Sequence, residues 1–131
     1  MIKGYKKVYS NKWIKVVSKN YKNKYLDMKN LYSIDQRDYV NILLKTKNNK
    51  IALVKQFRHA IEKYSLEFPG GLLEKNETPL QCAKREILEE TGCTINKIIK
   101  ISQLYPDVGR LSNKLHLFFA ISNEIGIEGY K

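Results

Sequence analysis

One stretch limits what this chain can become. It runs from Gly71 to Cys93 and reads GLLEKNETPLQCAKREILEETGC. Its middle predicts a helix over 79–91. Thr78 is a strong N-cap, and Gln81, three residues on, completes a capping box. Pro79 then falls at the first helical position, where a missing N–H costs nothing. Gly92 follows the last helical residue as a left-handed C-terminal cap. Leu80, Ala83 and Ile87 recur at helical spacing and predict the apolar stripe.

Glu86, Glu89 and Glu90 lie on another face of that helix. At ~100° per residue, the three carboxylates fit within an arc of about 100°. Like charges at this spacing destabilise a helix by roughly 0.2–0.5 kcal/mol per pair. The dipole also disfavours anions in the last turns. A hard divalent cation offsets both costs. Mg²⁺ takes oxygen ligands and keeps positions open for water and substrate phosphates. Arg85, four residues before Glu89, is placed to orient that carboxylate. Three glutamates on an arbitrary helix are more often a solvated acidic face, and the surrounding residues decide between the two readings.

Those residues resemble the Nudix box: a Gly, five residues, a Glu, seven residues, then Arg-Glu-apolar-any-Glu-Glu-any-Gly-apolar. Every fixed position is filled, by Gly71, Glu77, Arg85, Glu86, Ile87, Glu89, Glu90, Gly92 and Cys93. The resemblance implies an α+β protein, a Nudix-like α/β/α sandwich with a mixed sheet. It also implies metal-dependent hydrolysis of a diphosphate linked to a nucleoside, with Mg²⁺ as cofactor and Mn²⁺ as a possible substitute.

A chain of 131 residues is long enough for one domain with a real core. No apolar run reaches the roughly 18 residues of a membrane span, and no secretory signal opens the chain. The two cysteines, Cys82 and Cys93, lack metal-ligand spacing and read as small buried hydrophobes of a reduced, cytoplasmic protein. The formal charge is +11, from 24 basic and 13 acidic residues. A basic field attracts anionic nucleotides. The lysines are scattered, without long runs, which argues against specific nucleic-acid binding.

Along the chain, residues 5–18 suggest a strand or two, 20–24 a turn, and 25–33 the returning strand of a hairpin. Residues 39–46 form a better strand, 47–50 a tight turn, and 51–57 its expected antiparallel partner. Residues 66–68 are short and extended. A strand is expected over 94–104, a loop over 105–113, and a central strand over 114–121. The division expected is an N-terminal antiparallel β region, 1–38, and a catalytic core, 39–131. The C-terminal helix usual in the family looks short or missing.

The flanks resemble the ADP-ribose/ADP-sugar pyrophosphatase branch of the family. The matches are VKQFR at 54–58, LEFPGG at 66–71, LYPDVGRLSNKLHLFFA at 104–120, and Trp13 in KWIKV. This resemblance implies a homodimer formed through the N-terminal strands. It implies that Trp13 and, more loosely, Tyr25 stack on adenine, that Arg58 contacts phosphate, and that Glu67 lies near substrate. Glu67 has an alternative as the ion-pair partner of Arg58 or Arg85. Metal ligation falls to Glu86, Glu90 and the carbonyl of Gly70, with Glu89 close by, while Glu77 serves the loop. Glu124 is the candidate general base, with Glu128 the other acid nearby. The family's loop there is longer and more acidic, a departure that touches the base directly. His59 and His116 have no partner at metal spacing and read as structural.

The expected activity is hydrolysis of a nucleotide sugar, first ADP-ribose, to AMP and ribose 5-phosphate. Other Nudix substrates stay open: another nucleotide sugar, a dinucleotide coenzyme such as NADH, or capped RNA. So does a nucleotide-binding module without turnover. A basic structural protein would leave the nine filled positions unexplained.

Overall fold

The computed structural model describes residues 2–124. Nine strands and one helix follow one another among them. The chain forms two compact units, one of residues up to Arg37 with Tyr105–Lys114, the other of Asp38–Leu104 with the chain from Leu115.

The first unit is a three-stranded antiparallel meander. Its strands are β1 (Ile2–Ser10), β2 (Lys15–Lys22) and β3 (Asp27–Asp35), in that order. Both turns are built on asparagine. The Asn11 side-chain oxygen accepts from the N–H groups of Trp13 and Ile14, each at 2.7 Å. Asn23 does the same for Tyr25 at 2.8 Å. Asx turns of this kind replace missing ladder bonds. The second turn therefore centres on 23–26, later than the expected 20–24, because β2 stays paired with β3 through Tyr21 and Lys22. The segment 105–114 is a loop, as expected. It adds to β3, with the Ile34 N–H donating to the Arg110 carbonyl at 2.7 Å and the Ser112 N–H to the Ile34 carbonyl at 3.1 Å.

The second unit is organised on a four-stranded mixed sheet. Its members are β7 (Gly70–Leu72), β4 (Tyr39–Lys45), β9 (Leu115–Ile121) and β8 (Lys97–Leu104), in that order. β4 is antiparallel to β7 and parallel to β9, and β9 is antiparallel to β8. Strands β4 and β9 bury alternate residues, as a sheet covered on one face requires. Val40, Ile42, Leu44, Phe118 and Ala120 point to that face and pack with Cys82, Ala83 and Ile87 of the helix and with Cys93. Each fully buried branched side chain contributes about 1.5–3 kcal/mol.

One expectation fails here. Residues 51–57 do not form the antiparallel partner of β4. A strand has only two edges. One edge of β4 is taken by β9, and the other by β7 at Tyr39–Asn41. Among the described residues, the 47–50 turn is followed by an isolated antiparallel bridge at Lys45 and Ile51, with the Ala52 N–H donating to the Leu44 carbonyl at 3.0 Å. The chain then leaves to form a separate hairpin, β5 (Val54–Arg58) with β6 (Lys63–Glu67).

The helix α1 spans Pro79–Thr91. The capping box is present, with the Thr78 N–H donating to Gln81 Oε1 at 2.9 Å and the Gln81 N–H to Thr78 Oγ1 at 3.3 Å. Gly92 closes the helix at φ 67°. The buried stripe differs from the expected one: Leu80 is 44% exposed, and Cys82 takes its place in the core beside Ala83 and Ile87. α1 is the single helix among the described residues. The expectation for a short or missing C-terminal helix, and Glu128 with it, lies outside the described residues.

Replacing Thr78 by Ala removes the capping hydroxyl. It should lower stability by about 1 kcal/mol, read as a shifted urea midpoint at unchanged slope. An unmoved midpoint would show that the cap contributes nothing.

Candidate active site

The site is built where β7 runs under α1. Glu86 and Glu90 are 8% and 6% exposed, so both carboxylates are buried. Two consecutive glycines, Gly70 and Gly71, open β7 beneath them. A Cβ on Gly71 would lie 2.1 Å from Glu86 Oε1. A Cβ on Gly70 would lie 2.1 Å from the Val40 carbonyl oxygen. Gly71 is thus small for the carboxylate. Gly70 is small for the neighbouring strand, a reason different from close approach to an ion.

Each carboxylate has its own partners. Glu86 Oε1 accepts from Arg85 Nη1 at 2.7 Å. Glu90 accepts from Gln56 Nε2 at 2.7 Å and from the Gly70 N–H at 2.9 Å. Glu89 faces solvent, its side chain 55% exposed, and takes a bond from Arg85 Nη1 at 3.0 Å. Arg85 does orient Glu89, but its main engagement is with Glu77. Nε and Nη2 donate to the two Glu77 oxygens at 2.9 and 3.0 Å. Nη2 also reaches the Leu72 carbonyl at 3.3 Å. Glu77 accepts from the Glu74 N–H as well, so its carboxylate pins the loop that leads into α1.

The electrostatics separate these groups. The Arg85 hydrogen bonds draw the Glu77 carboxyl down to about 2. Glu86 is pushed up from 4.5, first by burial and then by the charges of Glu90 and Glu89, against the pull of Arg85. Burial lifts the Cys82 thiol to about 12, which keeps it protonated and chemically quiet at neutral pH.

The second group of expected residues sits on the β5–β6 hairpin. Arg58 Nε donates to Glu67 Oε1 at 2.7 Å, and Nη2 reaches Oε2. Glu67 therefore pairs with Arg58, not with Arg85. The bond raises Arg58 and lowers Glu67, and the charge of Glu90 adds to the rise on Arg58. Val54, Gln56 and Arg58 alternate on one face of β5. The opposite face shows Phe57 and Tyr64 to solvent, 56% and 67% exposed.

The remaining candidates lie elsewhere. Glu124 accepts from the Thr94 N–H at 2.6 Å and from its hydroxyl at 2.7 Å, using both oxygens. Trp13 and Tyr25 are exposed at opposite turns of the meander, with Lys12 and Lys24 over their rings. β2 separates them by about 26 Å at ~3.3 Å per residue, so one chain cannot set both against one adenine. His116 is buried and 2.9 Å from Asp38 through Nε2, a structural pair.

Sequence reasoning passed over Gln56. The signal was present, since a residue two before Arg58 in a strand shares its face.

Among the described residues, no group of three or more His, Cys, Asp or Glu side chains is placed to hold a metal ion. The donors still suit one hard cation. Mg²⁺ is held through one or two carboxylates and completed by water and phosphate oxygens. Glu86 and Glu90 supply two buried carboxylates, and the rise on Glu86 is relieved by positive charge.

The family model for the NUDIX domain matches residues 35–127. The chain belongs to the Nudix family. It is 43% identical over 81 residues to the ADP-ribose pyrophosphatase of Bacillus subtilis (strain 168), covering 62% of this chain and 44% of that protein. It is 43% identical over 61 residues to the ADP-sugar pyrophosphatase of Mus musculus, covering 46% and 28%. With the GDP-mannose pyrophosphatase of Escherichia coli (strain K12) it shares 32% over 85 residues, covering 60% and 44%. The chain spans less than half the length of each of these relatives. No helix among the described residues is long and apolar enough to cross a membrane.

Replacing Arg85 by Met tests the cluster. The interaction of Arg85 with ionised Glu77 is fully present above pH 4.5 and is lost as pH falls toward about 2. Glu86 also loses a stabilising partner only while it is ionised. The stability difference between wild type and variant should therefore be largest above pH 4.5 and shrink on acidification. Urea titrations across that range read it, and a difference independent of pH would refute the assignment.

Proposed function

We propose that this Nudix chain hydrolyses the diphosphate of a nucleoside diphosphate sugar, with ADP-ribose as first substrate. The observation that carries the reading is the burial of Glu86 and Glu90 on one helix face over Gly70 and Gly71 of β7, with the charge of Glu90 acting on Arg58. Relatives named for ADP-ribose, ADP-sugars and GDP-mannose support the nucleotide-sugar class.

Glu86, Glu90 and the Gly70 carbonyl would hold a divalent cation, Mg²⁺ or Mn²⁺, with Glu89 at the solvent edge. When bound, such a cation neutralises the diphosphate and makes the attacking water more acidic. Arg58 binds non-bridging phosphate oxygens, for which its planar fork is suited. Glu67 holds the guanidinium through Nε and Nη2. Water adds to one phosphorus and the bridging P–O bond breaks. From ADP-ribose the products are AMP and ribose 5-phosphate, with the released proton passing to solvent. Glu124 would have to release Thr94 before it could serve as base.

The N-terminal region, residues 1–38, is proposed to bind substrate and a second copy of the chain. Residues 1–37 hold ten of the 24 basic residues and two of the 13 acidic ones, a field that attracts anionic nucleotides. Trp13 is proposed as the adenine platform, since base stacking is worth ~1–3 kcal/mol. Given the distance between them, Tyr25 would serve a different base or a partner's site. Two unpaired buried cysteines support a cytoplasmic location.

A second reading is a nucleotide-binding module without turnover. It is favoured by the engagement of both Glu124 oxygens with Thr94.

The test is AMP release from ADP-ribose, ADP-glucose and NADH, with GDP-mannose and capped RNA followed by their own products, in Mg²⁺ and then in chelator. Metal-dependent AMP from the ADP-sugars is expected. Silence from a folded protein that still binds ADP-ribose calorimetrically would select the binding module. Glu90→Gln should abolish turnover with the circular-dichroism spectrum unchanged, and full activity in that variant would remove Glu90 from the site. Trp13→Ala should raise KM for adenine nucleotides more than it lowers kcat. An unchanged KM would return Trp13 to an ordinary surface role.

A further inference from the structure

We infer that Gln56 is a positioning residue for Glu90, orienting the carboxylate proposed to receive the cation. This rests on the metal-dependent reading above.

The inference comes from what a buried carboxylate needs. Glu90 is 6% exposed, so its oxygens require donors from the protein. Two are neutral: the Gln56 amide at 2.7 Å and the Gly70 N–H at 2.9 Å, one on each oxygen. Glu86 takes its bond from Arg85, whereas the Gln56 carboxamide orients Glu90 through a neutral donor. The Gly70 bond comes from the strand under the helix and the Gln56 bond from a different hairpin, so the carboxylate plane is fixed from two sides.

Gln56 also has a mechanical role. It shares a face of β5 with Arg58, two residues on. Among the described residues β5 and β6 form a two-stranded sheet of their own, so the Gln56–Glu90 bond links the hairpin carrying Arg58 to the helix carrying the carboxylates. Partners that orient metal ligands are typically worth 10–100-fold in metal affinity or activity.

The experiment titrates Mn²⁺ alone into wild type and Gln56→Met by calorimetry. Met keeps the length and loses the donor. Gln56→Asn, which withdraws the amide by one methylene, is measured beside it in case the Met variant does not fold. The expected result is a Mn²⁺ Kd weakened about 10–100-fold in a protein of unchanged circular dichroism. Turnover of ADP-ribose should recover toward the wild-type kcat as Mn²⁺ is raised to saturation, which a general packing defect would not allow. Wild-type affinity in the folded variants would overturn the role of Gln56 and leave the metal reading standing. Wild-type protein that binds no Mn²⁺ would overturn both.

Discussion

The guanidinium of Arg85 is where the acidic helix becomes tolerable to the fold. Three carboxylates, those of Glu77, Glu86 and Glu89, and the Leu72 carbonyl all accept from it. Two of those acids share a helix with Glu90, in turns where neither charge repulsion nor the helix dipole favours them. The fork geometry makes this possible. A lysine ammonium is a point charge and could not hold Glu77 bidentately while bonding along the helix as well. The loop between β7 and α1 follows from the same group, because Glu77 ties Glu74 and Arg85 together. Helix, loop and strand are thus held by one side chain that is only 24% exposed.

The two glycines give this arrangement its tolerance limits. One admits a strand and the other admits a carboxylate, and each would bring a Cβ to 2.1 Å of its neighbour. The contacts differ in kind. Val40 contributes a backbone oxygen fixed by the sheet, whereas Glu86 contributes the end of a side chain. Strain at Gly70 would spread through β4, the strand that carries much of the core. Strain at Gly71 would stay within the carboxylate cluster.

What could be read from the chain tracks how local the cause was. The helix ends were legible to the residue because Thr78, Pro79, Gln81 and Gly92 each act within a turn of the helix. The strands of β4 and β9 were legible from their apolar content. Pairing was not. That β7 takes the edge of β4 depends on residues thirty positions apart, and the hairpin of β5 with β6 follows only once that edge is filled. The carboxylates were visible as a pattern, but their unequal burial was not. Glu86 and Glu90 turn inward and Glu89 outward, which depends on how α1 rests on β4 and β7. Gln56 was hidden for the same reason, since its significance comes from a helix 34 residues away. The exposure of Leu80 is a reminder that helical spacing defines a stripe before it defines what covers the stripe.

The turn between β1 and β2 holds the chain's one tryptophan. Trp13 is 67% exposed there, with the Lys12 ammonium 4.8 Å from its ring centroid. Indole emission from this protein is therefore a local optical signal, red-shifted by water and sensitive to the charge beside it. It reports on the N-terminal meander while saying nothing directly about the helix, the glycines or the buried carboxylates. A melt followed by fluorescence and one followed by helical ellipticity would observe different parts of the molecule, and their coincidence or separation measures how cooperatively the two compact units unfold.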